Sequence, residues 1–351
     1  MKKRIVSLFL VVLMLASACA GNSSTPTTTG NAPSNDNKVY KFTINNQVAE
    51  GNYISILQNY IADQLEERSG GRIEGTVYDA GSFGGPDKER LEMAISGAIS
   101  MSTVPASLIA AMGDNLNAWN VYDVPYMFDT QDDLYSFFEG EIGQELVKLA
   151  SDSLGVDIPG LFSMGFCAVS SNKPIHVPPD IKGVKIRSGQ ITLTVESLKM
   201  WDAVPSTVDY SESYTAMQQG TVDGTATALT LWETAKWYEV QKNIVLNRYS
   251  NMPHFFVVSK VWYNSLPADL QAIFDEVIKD GYANARKVAQ KAEDDSIAFL
   301  SEHMDVYVPS EDEMVLWKVP ARDMWTNTAA DVVGGKDFLN RCLKWRGIDP
   351  I

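Results

Sequence analysis

Residues 181–188, IKGVKIRS, and 210–240, YSESYTAMQQGTVDGTATALTLWETAKWYEV, carry the fold of this chain. The first segment reads as a short strand in which Val184 and Ile186 share one face and Lys185 and Arg187 the other. A helix follows, then a tight turn at Asp223-Gly224 where glycine would permit positive φ, then a further helix. Arg187 thus ends a strand and points away from its apolar side. Open α/β sheets place their ligand crevice beyond the carboxyl ends of strands. A guanidinium fits a carboxylate in a bidentate way, so the segment predicts an anion site at Arg187.

Strands alternate with helices on the amino-terminal side of this segment. Val39–Asn45 reads as a strand, and Ile54, Leu57, Ile61 and Leu65 form one helical stripe ending at Gly70-Gly71. Ile73–Tyr78 is a second strand, GSFGGPD a turn, Lys88–Ser96 a helix and Ala98–Thr103 a third strand. This βαβαβ rhythm predicts an α/β fold with a mainly parallel sheet flanked by helices. From Pro267 to about Leu300 a helical pattern carries Leu270, Phe274, Val277, Ile278, Ala285, Val288, Ala292 and Leu300 on one side. Such a helix, on the order of 50 Å long, exceeds the width of one lobe and should brace two. The acidic run Glu293-Asp294-Asp295 on it reads as solvated charge, and Trp237–Val240 as a packing helix.

The chain start predicts an exported protein. Lys2, Lys3 and Arg4 precede an apolar run, Ile5–Leu15, and then Ala16-Ser17-Ala18-Cys19. That order matches a secretory signal, and Cys19 after small residues resembles a lipoprotein lipidation site, giving a signal peptide over 1–18; the alternative is an ordinary signal peptide cut nearby, with Cys19 incidental. Residues 19–37 hold the lipidated Cys19 and a polar, proline-dotted linker. The formal charge of −15 becomes −18 when the three basic residues of the signal leave, which argues against nucleic acid as partner. An exported protein allows one disulfide between Cys167 and Cys342, and the default reading is two buried free thiols.

Taken in order, GSFGGPDKE, VYDVPYMF, SNKPI, IKGVKIR, SESYTAMQQGTVDG, WYEVQKN, SLPADLQ and the long helix resemble the solute-binding subunit of tripartite ATP-independent periplasmic (TRAP) transporters, the DctP family, from about Lys38 onward. The resemblance implies a two-lobed, type II-like periplasmic-binding-protein fold. Lobe I would take residues 38–163 and 253–292, lobe II residues 164–252 and 293–351. It further implies a monomer that closes over a small organic acid and delivers it to an ion-gradient-driven membrane permease.

By position, the resemblance makes Arg187 the carboxylate clasp, Tyr210 an aromatic wall, Thr227 a polar contact and Asn45 a contact from the other lobe. Cys167 stands where many members carry a second arginine, and Ala226 where an acid is frequent. Losing those groups favours a simpler monocarboxylate with an apolar body against Phe166, Tyr210, Trp119 or Trp232.

An enzyme finds little support. His176, His254 and His303 are far apart, with no metal-ligand spacing, and Ser163 in GLFSMG lacks the nucleophile-elbow pattern. Neither cofactor nor metal is expected. The competing readings are a sensor subunit for a membrane receptor, on the same fold, and a lipid-anchored hydrolase using two distant carboxylates.

Overall fold

A computed structural model describes residues 38–351 apart from Gly85. The signal peptide, Cys19 and the linker lie outside the described residues. Eleven strands are found among them: β1 (Tyr40–Asn45), β2 (Ile73–Tyr78), β3 (Met101–Pro105), β4 (Val156–Asp157), β5 (Leu161–Ser171), β6 (Lys185–Ser188), β7 (Val204–Thr207), β8 (Gly224–Ala228), β9 (Asn243–Val245), β10 (Asn251–Ser259) and β11 (Asp305–Tyr307). The main path runs β2-β1-β3-β10-β5-β8-β6-β7. The outer pairs are parallel, β1 with β2 and β3, and β6 with β7 and β8. The two long central strands, β5 and β10, are antiparallel to each other and to their neighbours. Two α/β halves therefore share a pair of crossing strands, which yields a two-lobed fold.

The first half forms as its residue pattern predicts. Helix α1 (Tyr53–Ser69) starts at Asn52, whose side chain accepts from the Ile54 amide at 3.0 Å, satisfying one of the free donors of a helix start. Its stripe of Ile54, Leu57, Ile61 and Leu65 is buried to within 2 % exposure. Helix α2 (Asp87–Ser96) packs across β3 and β10.

The long helix spans Ala268–His303, 36 residues, and packs on both α1 and β5. At Gly281 a side chain would stand 2.9 Å from Ile61, so the two helices meet at a close contact. The expectation that Glu293 is solvated charge is corrected here. Glu293 is fully buried, with Oε2 accepting from the Phe166 amide and from Gln131 Nε2, each at 3.0 Å. Its Oε1 pairs with Arg248 at 2.7 Å. Burying a carboxylate is tolerable only with such partners, and they lie in segments that no helical periodicity connects.

Two further expectations change. Residues 224–228 form a strand, not a helix, and Gly224 does not adopt positive φ. A Cβ at Gly224 would lie 1.9 Å from the Ser170 carbonyl oxygen, so glycine is needed for the close approach of β8 to β5. The Trp237–Val240 helix shrinks to one 3-10 turn, Trp237–Glu239, with Trp237 buried. Cys167 and Cys342 are free and buried, as expected.

Candidate functional site

The carboxyl end of β6 opens on a cleft of about 660 Å³ whose walls come from both halves of the molecule. Arg187 stands in that wall. It pairs with Ser206 on β7 and Thr225 on β8, and is 5 % exposed. Its Nε donates to the Val208 carbonyl at 2.9 Å, which fixes the plane of the guanidinium. Burial pulls its pKa down to about 10, opposed by Tyr210 and then Asp209, and the group stays cationic at neutral pH. Among the described residues no carboxylate forms an ion pair with it, so the alternative of a surface salt bridge does not apply.

Tyr210 and Thr227 line the same cleft. The Tyr210 ring rests 5.4 Å from that of Trp237, and burial raises its hydroxyl to about 12 while the charge of Arg187 pulls it back. Thr227 sits on β8 opposite Ala168, 2 % exposed.

The facing wall comes from the first half. Lys88 and Arg90 enter from the start of α2, and His254 from β10. Arg90 is 2 % exposed, and burial lowers its pKa to about 10. The imidazole of His254 is pushed down to about 3 by burial and then by Arg90, which leaves it neutral, and its Nδ1 has no hydrogen-bond partner. Met164 of β5 and Met252 of β10 also line the cleft. Asp123 lies in the protein interior, its pKa raised to about 7 by burial against a Ser107 amide that lowers it.

The structure does not bring every expected residue to the cleft. Asn45 is fully buried, and its Nδ2 donates to the Phe83 carbonyl at 3.4 Å, tying down the rim loop between β2 and α2. Phe166 faces the Arg248 guanidinium, 4.2 Å from its ring centre, and Cys167 is buried beside Tyr249, burial raising its thiol. Trp119 packs edge-on against Phe255 at 4.8 Å and donates its indole N–H to the Leu146 carbonyl. Trp232 packs edge-on against Trp237 at 5.6 Å. All four side chains are buried in the core, the three aromatic ones because large aromatic area is stabilised most by complete burial and Cys167 as a small apolar thiol.

Sequence reading missed Arg90, His254, Met164 and Met252. A signal existed for two of them: in Asn251–Ser259 the strand alternation puts Met252 and His254 on one face, and both are more exposed than Pro253 between them and Phe255 after them. Nothing in the sequence distinguishes Arg90 from a solvated helix residue. Among the described residues no cluster of three or more acidic, histidine or cysteine side chains could hold a metal, and no helix is long and apolar enough to cross a membrane.

Comparison with known proteins agrees with this architecture. The family model for bacterial extracellular solute-binding proteins, family 7, named DctP, matches residues 44–331. A C4-dicarboxylate-binding periplasmic protein DctP of Rhodobacter capsulatus is 27 % identical over 226 residues, 64 % of this chain and 67 % of that protein. A TRAP solute-binding protein of Sulfurospirillum deleyianum with bound succinate superposes with a TM-score of 0.79 at 23 % identity, over 87 % of this chain and 98 % of the other. A sugar acid binding protein of Advenella mimigardefordensis in complex with galactonate gives 0.80 at 23 % identity, over 88 % and 97 %. The chain belongs to family 7 of the bacterial extracellular solute-binding proteins, the DctP family.

Proposed function

We propose that this receptor captures a small organic acid in the cleft between its two lobes and delivers it to the membrane permease of a TRAP transporter. The observation that carries this reading is the buried guanidinium of Arg187, fixed through Nε and lining the cleft with no carboxylate ion-paired to it among the described residues. A buried charge of this kind is unfavourable until a counter-charge arrives, and a ligand carboxylate supplies it. Tyr210 and Thr227 are the neighbouring contacts on the same wall. The succinate and galactonate held by the structural neighbours support an acid as ligand class.

The lobes take residues 38–163 with 253–292, and 164–252 with 293–351. Those divisions fall where β5, β10 and the long helix pass Gly165, the bulge between Asn251 and Pro253, and Glu293. Gly165 has φ of +87°, a backbone turn that places the Phe166 amide on Glu293. Closure about these crossings shifts the open and closed populations only as far as the ligand binds the closed form better. Cys19 anchors the receptor to the membrane by lipid, with residues 20–37 as its tether.

A thermal-shift screen of residues 38–351 against organic acids and neutral sugars tests the reading. A ligand at a hundred times its Kd adds about 2.7 kcal/mol of stability. An acid that stabilises the wild type and fails with Arg187→Ala, by about 2–5 kcal/mol of binding, supports the clasp. Stabilisation by neutral sugars alone, or by an acid indifferent to the substitution, refutes it.

A further inference from the structure

The helix Glu311–Met324 is apolar on two opposite faces. Its inner face is core: Trp317, Ala321 and Met324 are buried, and Trp317 meets Trp201 edge-on at 4.9 Å. On the outer face Val315, Leu316 and Val319 stand 56 %, 50 % and 65 % exposed, and Val308, in the segment leading into the helix, is 68 % exposed. Single exposed valines need no explanation, whereas a helix apolar all round is normally covered on both sides. The spacing of Asp312, Val315, Leu316, Val319 and Asp323 places them on one stripe, an apolar centre with an exposed carboxylate at each end. The two bases of the helix are engaged elsewhere: Lys318 pairs with Asp129 at 3.3 Å, and Arg322 donates to the carbonyls of Asp349 and Pro350.

This helix rests on both lobes. Trp201, whose indole N–H donates to the Trp317 carbonyl at 3.1 Å, ends the helix Thr192–Met200, and the approach and first turn of that helix, Gln190, Ile191 and Thr194, line the cleft. On the other side, Trp325, just beyond Met324, donates to the Pro125 carbonyl at 2.9 Å, and Lys318 reaches Asp129, both in lobe I. A partner seated on the outer stripe therefore bears on a helix held by both lobes at once.

Charge and area narrow the occupant. Anionic lipid headgroups would repel the two acids of the stripe and a chain of net charge −15. In a pair of receptors the stripe would meet itself, setting Asp312 of one copy opposite Asp323 of the other, or each acid opposite its equivalent, like charge on like charge in both cases. The patch is a few hundred Å², short of the roughly 800 Å² that each partner gives to a standard stable interface. It suits a contact that forms and breaks with each delivery, against a surface that sets apolar side chains between basic ones. We infer that the outer stripe of this helix is where the receptor docks on the extracytoplasmic face of its permease. The inference rests on the transporter reading above and places the surface that this reading requires.

The test is photo-crosslinking in the cells that make the receptor, using the full-length chain with p-benzoylphenylalanine in place of Val315 or, separately, of Val319. The same group in place of Ile56 on α1, 60 % exposed, is the control. Mass spectrometry identifies each product. Positions 315 and 319 yield a product with a multi-span permease subunit of the transporter, and position 56 does not. Asp312→Asn combined with Asp323→Asn lowers the permease product about threefold, the worth of two exposed charge pairs. Val315 and Val319 are each more than half exposed, so the fold tolerates the larger group, and either position alone decides the matter. Products that join two receptors, products with lipid only, no product, or a permease product equally abundant from position 56 overturn the docking surface; the transporter reading then stands if an organic acid still stabilises the wild type. A product with a membrane sensor in place of the permease overturns both.

Discussion

Glu293 offers the sharpest test of how the three crossing segments are held together. Its carboxylate has no exposure and joins the long helix to β5 through the Phe166 amide, to Gln131, and to Arg248. Arg248→Met keeps much of the side-chain length and removes the charge. Breaking a buried pair from one side costs about 3–5 kcal/mol, because the remaining charge is left uncompensated. Arg248 is 36 % exposed, so water offsets part of that loss and the lower end, about 3 kcal/mol, applies. The stack of the guanidinium on Phe166 at 4.2 Å adds about 0.5–1 kcal/mol.

Glu293→Gln keeps an acceptor for the Phe166 amide and releases Arg248 toward solvent, so it costs less, about 1–2 kcal/mol. The double variant is then less destabilised than the two single losses added together, with a coupling energy of about 2 kcal/mol. Urea unfolding of residues 38–351 without ligand, with a common slope for all four proteins, measures these differences. A loss below about 1 kcal/mol for Arg248→Met, or additive single losses, refutes a buried charge pair as the tie between segments.

Other outcomes follow from particular groups. Asp123 has a folded pKa of about 7 against an ordinary carboxyl value of 3.8, so the folded state favours its protonated form. The stability that this contributes is complete below about pH 4 and is lost as pH rises through 7. Asp123→Asn should therefore match the wild type near pH 4 and exceed it by up to about 4 kcal/mol at pH 8, measured by urea unfolding at both pH values; a pH-independent difference contradicts the assignment. Cys19→Ala should release the full-length protein from the membrane fraction into the soluble extracytoplasmic fraction, and equal partition of the two proteins on fractionation excludes a lipid anchor.

Much of the architecture follows from local pattern. The stripe of α1, the strand at Ile73–Tyr78 and the long helix each bury one face with a regular period, and such periodicity is written in consecutive residues. Arg187 was legible for the same reason, since a cation closing an apolar strand stands out from its neighbours. The strand at 224–228 was not, because Ala and Thr carry little preference and its identity depends on β5 lying alongside.

By itself, then, the sequence determined the alternation of strands and helices, the family and the placing of Arg187 at the end of its strand. The tertiary structure alone decided which side chains share the cleft. Arg90 and Glu293 sit on helices like any solvated charge, yet each is almost fully buried. Trp119 and Trp232 look like ligand walls and are core. Burial and partnership depend on what other segments pack against a residue, and those segments lie far away in the chain: Phe166 is 127 positions from Glu293. The desolvation that makes a charged group a binding site is a property of that packing, so it arises only once the two halves have folded around their shared strands.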